Sequence, residues 1–268
     1  MSATLGGLLK DFRIKKGIQQ IDIAFSLGWK ETSRLSRIEQ GKSAKPPRDL
    51  IENIAKAMQL TAIEKNQLLL AGNYLPTEQE IAYIKEKSKD FIDKWPYPAN
   101  LLDFSWRSIL ENERMFNVHN VPPNLAKFII ENHSHVLDIL FNPDLPSNKN
   151  MDYENKNLWK QFLKYLILQF RYEQSNRTQE KWYIDHIKNM MKNDLFKSLW
   201  IESQSMTMQD ALVGKFAINN IPHPEDPNKL LNFYLFVVPV LEDPRFEITM
   251  LVPSDVETYR FYPKNDNK

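Results

Sequence analysis

The sequence of 268 residues contains no cysteine and only 7 glycines. The lack of cysteine excludes disulfides, zinc–thiolate centres, iron–sulfur clusters and cysteine nucleophiles, and it is compatible with the reducing cytoplasm, where we expect this protein. No apolar run reaches the roughly 20 residues needed to cross a bilayer, and the longest, Leu235–Leu241, has the length of a strand. The first residues also lack a basic-then-apolar leader pattern. We therefore expect no membrane partner.

Enzyme signatures are missing as well. The sequence has no glycine-rich phosphate loop, no nucleophile elbow and no zinc motif of two histidines and a glutamate. His133 and His135 are the only close pair of histidines, and residues two apart on a helix face different sides, so they are poorly placed to share a metal. We expect no catalysis, no metal and no cofactor.

Charge and turn residues divide the chain into two parts. Residues 1–74 hold 12 Lys and Arg against 7 Asp and Glu, a net charge of +5, and residues 75–268 hold 23 against 27, a net charge of −4. Six of the seven glycines lie at or before Gly72, and 14 of the 16 prolines follow Tyr74. The length also suits about two domains. We place a boundary near residues 74–76, and the basic N-terminal domain (residues 1–74) favours contact with nucleic acid.

Five short helices are predicted in the N-terminal domain, beginning with an apolar stripe at Leu5, Leu8, Leu9 and Phe12. The fourth is predicted to start at Pro47, and the fifth at a capping box that begins with Thr61.

The second and third helices, about residues 19–27 and 32–40, are joined by a very short segment around Gly28. Ala24 is small enough for them to approach closely. This pattern predicts a helix-turn-helix whose third helix enters the major groove, a slot about 12 Å wide.

The outer face of the third helix carries the candidate contacts. If Leu35 and Ile38 point inward, Ser33, Arg34 and Arg37 point outward, where arginine suits guanine edges or phosphate. The alternative is a solvated surface with two ordinary arginines. We expect Glu39 to be structural, paired with Arg13 of the first helix. The predicted DNA-binding residues are Gln20, Lys30, Thr32, Ser33, Arg34, Arg37, Lys42 and Ser43.

The string LGGLLKDFRIKKGIQQIDIAFSLGWKETSRLSRIEQGKSAKPP resembles the phage-repressor-like helix-turn-helix family called XRE. The resemblance rests on the glycines after Leu5 and Leu27, on Gln20 and Ala24, and on SRIEQG at residues 36–41. One extra residue lies between Gly28 and Ser36, so the base-facing residue is open among residues 30–34. The resemblance implies a transcription regulator that binds double-stranded DNA. Helix-turn-helix proteins read two half-sites as dimers, so we also expect a homodimer.

After the N-terminal domain, Thr77–Glu80 forms a second capping-box signal and predicts a connecting helix within residues 75–95. Its expected apolar stripe consists of Ile81, Ile84, Ser88, Phe91 and Trp95.

The remainder, residues 96–263, alternates between strand and helix patterns. Its predicted order is two strands, several helices and three strands, which favours one antiparallel sheet covered by helices and an α+β fold class for the chain. Such a shell often encloses a cavity for a small molecule. The predicted strands are Asn100–Trp106, Ser108–Asn112, Ala211–Asn219, Asn232–Leu241 and Phe246–Val252. The predicted helices are Asn124–His133, Leu158–Gln174, Glu180–Lys192 and Asp194–Ser203.

This second part resembles the MmyB-like ligand-binding domain, a PAS-like sensor. The resemblance rests on Asp103 followed by Trp106 and Asn112, on FKSLW at 196–200, and on DPR at 243–245. It implies a small apolar ligand, such as a fatty acid. Arg171 suits the carboxylate of such a ligand, and the alternative is that Arg171 pairs with Asp or Glu on the surface. The alternative is a domain that only dimerises or binds another protein. The candidate ligand-binding residues are Phe104, Trp106, Asn112, Phe128, Tyr165, Phe170, Arg171, Phe196, Trp200 and Phe236.

Overall fold

The computed structural model describes residues 4–145, 148, 153–207, 218–223, 226 and 229–262, with backbone alone at 153–155, 218–220 and 222. The chain divides into two units. The first spans Met1–Glu78 and includes Pro239–Phe246, and the second spans Gln79–Val238 and Glu247–Lys268.

The first unit contains the five predicted helices, with ends that differ from the prediction by one or two residues. They are α1 (Leu5–Lys15), α2 (Gln20–Ser26), α3 (Ser33–Glu39), α4 (Arg48–Ala57) and α5 (Ala62–Ala71). The capping box at the start of α5 is confirmed, since Thr61 Oγ1 accepts from the Glu64 amide and the Glu64 carboxylate accepts from the Thr61 amide. Pro47 directly precedes α4 at its cap position.

The core of the first unit lies where the apolar stripes of its helices meet. Leu9, Phe12, Leu35 and Ile38 are buried in one apolar cluster. At Gly6, α1 comes so close to α3 that a Cβ atom would lie 2.3 Å from the Ile38 carbonyl oxygen. The absence of a side chain at this position therefore sets the distance between α1 and α3.

A helix, α6 (Glu78–Lys94), lies within the range predicted for the connecting helix, and its role as a connection stays a prediction. Ile81, Ile84 and Ser88 are buried as predicted. The prediction for the next position of the stripe was wrong, because Ile92 is buried and Phe91 is 47% exposed. Positions three and four residues after Ser88 both lie near its face of a helix, so the sequence pattern alone did not separate them.

The sheet of the second unit has five strands in the order β2-β1-β5-β4-β3. The strands are β1 (Ala99–Asp103), β2 (Ser108–Glu111), β3 (Ile218–Pro222), β4 (Leu230–Pro239) and β5 (Phe246–Pro253). β1 pairs antiparallel with β2, and β3 pairs antiparallel with β4. The strand expected at Ala211–Asn219 falls mostly on residues 211–217, outside the described part of the chain.

The helices of this unit in the described segments are α7 (Glu113–Val118), α8 (Pro123–Glu131), α9 (Val136–Leu140), α10 (Tyr153–Glu173), α11 (Lys181–Met190), α12 (Asp194–Ser203) and α13 (Val256–Phe261). The long α10 lies at the centre of an apolar core with Leu163, Phe170, Phe196 and Trp200. The predicted α+β fold class is confirmed. The sequence patterns missed α7, α9 and α13, which have only five or six residues and complete too few turns to show a helical period.

Among the helices that the structure describes, none combines the length and the apolar character needed to cross a membrane.

Candidate nucleic-acid interface and apolar cavity

Helix α3 turns its apolar side inward. Leu35 and Ile38 are buried in the core of the first unit, whereas Ser33, Arg34 and Arg37 are exposed. This confirms the predicted orientation of the helix and leaves two guanidinium groups facing solvent.

The turn between α2 and α3 is set by its backbone. Gly28 has φ +72°, and the Trp29 amide donates to the Ala24 carbonyl at 2.8 Å, which ends α2 in a Schellman-type turn. Trp29 follows at once, and the Arg34 guanidinium lies 4.8 Å from the centroid of its ring. The cation–π contact restricts Arg34 to part of its range of rotamers. The sequence patterns did not single out Trp29, which lies four residues before α3. An aromatic residue so close to a helix that carries arginines indicates a possible cation–π contact.

A buried carboxylate joins the first three helices. Glu39 of α3 accepts from Arg13 Nε at 2.6 Å and from Arg13 Nη2 at 3.0 Å, and its side chain is only 2% exposed. Gln20 of α2 donates to the same carboxylate at 2.8 Å. The hydrogen bond to Glu39 raises the pKa of Arg13. The predicted structural role of Glu39 is confirmed. The amide nitrogen of Gln20 is used inside the domain, and its contact with DNA phosphate stays a prediction.

The other predicted contacts lie on α3 and the segments beside it. Lys30 and Lys42 are exposed, and Thr32 and Ser43 are half-buried. The Ser33 hydroxyl donates to Glu31 at 2.6 Å. We call the exposed cations of this region, Lys30, Arg34, Arg37 and Lys42, the cationic surface.

The second unit holds a cavity of ≈ 100 Å³ between one face of its sheet and several helices. Alternate residues of each strand face it, such as Asn100 and Leu102 of β1 and Glu247, Thr249 and Leu251 of β5. The remaining lining residues are Trp106, Met115, His119, Val136, Leu140, Phe162, Leu166, Gln169, Ile221, Leu235 and Val237. The lining is mainly apolar with a few polar groups, as is usual for a small-molecule site.

Two ionisable groups of the cavity have strongly shifted pKa values. The pKa of Glu247 is raised to about 7, mainly by burial and also by the negative charges of Glu173 and Asp103, with Arg177 acting in the opposite direction. Burial lowers the pKa of His119 to about 4. At neutral pH His119 is therefore uncharged, and Glu247 is close to half-protonated.

Of the predicted ligand-binding residues, Trp106 lines the cavity. Phe170, Phe196 and Trp200 belong to the apolar core around α10. Arg171 donates to the Ser203 carbonyl and hydroxyl and lies 5.5 Å from the centroid of the Trp200 ring.

Asn112 caps α7, because its Oδ1 accepts a hydrogen bond from the Met115 amide of that helix. The same oxygen accepts a hydrogen bond from the Ala99 amide of β1. Phe104 is buried, with the Arg177 guanidinium 4.7 Å from its ring centroid.

The remaining aromatic candidates differ in exposure: Tyr165 is half-buried, Phe128 is 56% exposed and Phe236 is 50% exposed. The ligand contacts assigned to the ten candidate residues of the second unit stay predictions.

The sequence patterns gave no sign of His119, Gln169 and Glu247, which the fold brings to the same cavity from the end of α7, from α10 and from β5. None carries a local motif. Within the described segments, no group of three or more His, Asp or Glu residues is arranged to hold a metal ion.

The comparison with known protein families gives a match within the first unit. Residues 9–65 match the helix-turn-helix family model, a stretch that contains the whole of α2, α3 and α4. No curated protein matches the chain. The matched stretch ends at residue 65, so the MmyB-like and PAS-like character of the second unit stays a prediction. The outer face of α3 is exposed, and Glu39 holds this helix against α1 and α2. Together with the match, this makes residues 9–65 a DNA-binding helix-turn-helix domain of the XRE type.

Proposed function

We propose that this protein is a sequence-specific transcription regulator of the cytoplasm. As a homodimer, it places α3 of each protomer in the major groove of double-stranded DNA, and its second unit senses a small apolar ligand. The cationic surface carries the DNA proposal, because its four cations lie on and beside a helix whose opposite side is buried.

The anchoring of α3 supports this role. The Glu39 carboxylate accepts hydrogen bonds from Arg13 and Gln20, and it thereby holds α3 against α1 and α2 before the protein binds DNA. A helix fixed in this way loses little conformational freedom on binding, so more of the contact energy appears as affinity.

Salt dependence tests the DNA proposal. Each phosphate neutralised by a cation contributes about −0.9 to the slope of log affinity against log salt concentration, so Lys30, Arg37 and Lys42 predict a slope of roughly −3 per protomer, with Arg34 assigned to a base edge. Fluorescence anisotropy of the full chain on a duplex selected from random sequences measures it. Lys42→Ala should make the slope less steep by about 0.9. Lys56→Ala, at an exposed lysine of α4, is the matched control and should leave it unchanged. A slope near zero for the unmodified protein would remove the proposal.

The cavity carries the sensing proposal, since it is lined by apolar side chains from both the sheet and the helices. Native mass spectrometry of the purified full chain, compared with its denatured mass, should show a bound small molecule. We propose binding without catalysis, so the molecule should be recovered chemically unchanged after incubation. A dimer that never carries a small molecule would favour the alternative, a second unit that only dimerises or binds another protein.

A further inference from the structure

Three polar side chains of the cavity have a buried atom without a hydrogen-bond partner within the described segments. Asn100 of β1 is 7% exposed, and its Oδ1 has no hydrogen-bond partner among the residues that the structure describes. Gln169 Oε1 and His119 Nδ1 are likewise buried and unpartnered in that part of the chain. Buried polar atoms without partners are costly, which makes them candidates for contact with a ligand.

The orientation of Gln169 follows from its neighbour. Its Nε2 donates to Glu173 Oε1 at 2.8 Å, and a carboxylate can only accept when ionised. One N–H of the amide nitrogen is therefore committed to Glu173, and this fixes Oε1, which has no partner among the described residues, as the acceptor that Gln169 offers to the cavity. Glu173 also accepts from Trp106 Nε1 at 2.8 Å, so it is well satisfied as a carboxylate.

The charges around Glu247 favour a cation. Glu173 and Asp103 disfavour its ionised form, and Arg177 favours it. Asp103 is already paired with Arg107, whose Nη2 lies 2.7 Å from its Oδ2. An incoming ammonium group would pair with the Glu247 carboxylate and relieve its repulsion by Glu173, whereas an incoming carboxylate would add to that repulsion.

We propose that the ligand of this cavity is a small apolar amine, whose ammonium group is held by the Glu247 carboxylate and by the side-chain oxygens of Asn100 and Gln169. This rests on the proposed sensing function and names the ligand class. The size of the cavity agrees, since an engineered cavity of roughly 150 Å³ holds benzene and this one measures ≈ 100 Å³. A cavity smaller than the one that holds benzene suits an amine of about four carbons better than a long-chain fatty acid.

Binding is then coupled to the proton of Glu247. At pH 6 this carboxyl is mostly protonated, and it must release its proton to solvent before it pairs with an ammonium group. The affinity for an amine therefore rises between pH 6 and pH 8, where the amine itself stays protonated. The affinity for a carboxylate of the same length falls over the same interval.

Three probes of equal chain length test the proposal: butylamine, 1-butanol and butanoate, titrated into the full chain by isothermal calorimetry. At pH 8 butylamine should bind about tenfold or more tighter than butanoate, since a charge-assisted pair replaces a charge repulsion. Glu247→Gln should weaken butylamine about tenfold and change 1-butanol less than about twofold. Glu242→Gln, the same substitution at an exposed carboxylate, is the control and should change none of the three.

The outcomes separate the amine proposal from the proposal that the second unit senses a ligand. The three probes are compared on the unmodified protein, so this comparison does not depend on whether a variant folds. Tighter binding of butanoate or 1-butanol than of butylamine overturns the amine proposal and leaves ligand sensing intact. Failure of all three to bind at millimolar concentration overturns both. An amine affinity that is unchanged or falls between pH 6 and pH 8 removes Glu247 from the site.

Discussion

At the scale of single residues, Arg34 and Arg37 are both exposed on α3 but differ in their surroundings. Arg34 lies nearer the start of the helix and rests on the Trp29 ring, which directs its guanidinium, whereas Arg37 lies nearly a turn later. The position and support of Arg34 suit a base edge, and those of Arg37 suit phosphate.

Substitution of each arginine should separate these roles. Arg34→Ala should cost about 1–3 kcal/mol on the selected operator and reduce its preference over shuffled DNA. Arg37→Ala should weaken both duplexes by the same factor. Anisotropy titrations on the two duplexes measure these effects, with Lys56→Ala as a control away from α3. Equal losses on both duplexes for Arg34→Ala would end its assignment as a base reader.

At the scale of helices and strands, contact between α1 and α3 decides how the DNA-facing helix is held. Gly6 occupies the crossing point, and Glu39 is linked to Arg13 close by in the same pair of helices. A substitution at Gly6 therefore acts on α3 through the backbone of Ile38 and Glu39 and not through any side chain that meets DNA.

Gly6→Ala should therefore destabilise the protein, although glycine to alanine within a helix usually stabilises by roughly 0.5–1 kcal/mol. A Cβ atom at this position would lie 2.3 Å from one backbone oxygen of α3 and 2.8 Å from another, and backbone cannot move aside cheaply. We expect a loss of about 1–3 kcal/mol, typical of overpacking. Urea unfolding followed by circular dichroism measures it, and a gain in stability would contradict the close approach of α1 and α3.

At the scale of the whole molecule, the proposed function requires that ligand and DNA influence each other. Helix-turn-helix dimers need recognition helices about 34 Å apart, so any change in how two protomers associate alters operator affinity. A ligand acts on that equilibrium only if it binds one arrangement more tightly, with typical coupling free energies of about 1–3 kcal/mol.

Coupling of this kind is reciprocal, so operator DNA should change ligand affinity by the same factor by which ligand changes operator affinity. The test is calorimetry of the full chain with the recovered ligand, with and without operator duplex. Insertion of a four-residue Gly/Ser segment after Pro76, just before α6, should reduce the coupling and leave ligand affinity without DNA unchanged. Equal ligand affinities with and without operator in the unmodified protein would end the regulatory proposal.

The sequence by itself determined the five helices of the first unit, the capping box at Thr61 and the pairing of Glu39 with Arg13. These features follow from apolar spacing and caps that act over a few residues, or from a motif that lies within about 40 residues. The matched helix-turn-helix model covers residues 9–65 of this part of the chain.

The tertiary structure alone decided which side chains share the cavity. On β5 the sequence marks Phe246, Ile248, Met250 and Val252 as one apolar face, yet Glu247, Thr249 and Leu251 of the other face line the cavity. Alternation tells two faces of a strand apart but does not say which one the helices will cover. The strand order places β1 beside β5 and so brings Asn100 and Glu247 into one cavity although 147 positions separate them in the chain. Burial there also raises the pKa of Glu247, a property that depends on neighbours and not on its place in the sequence.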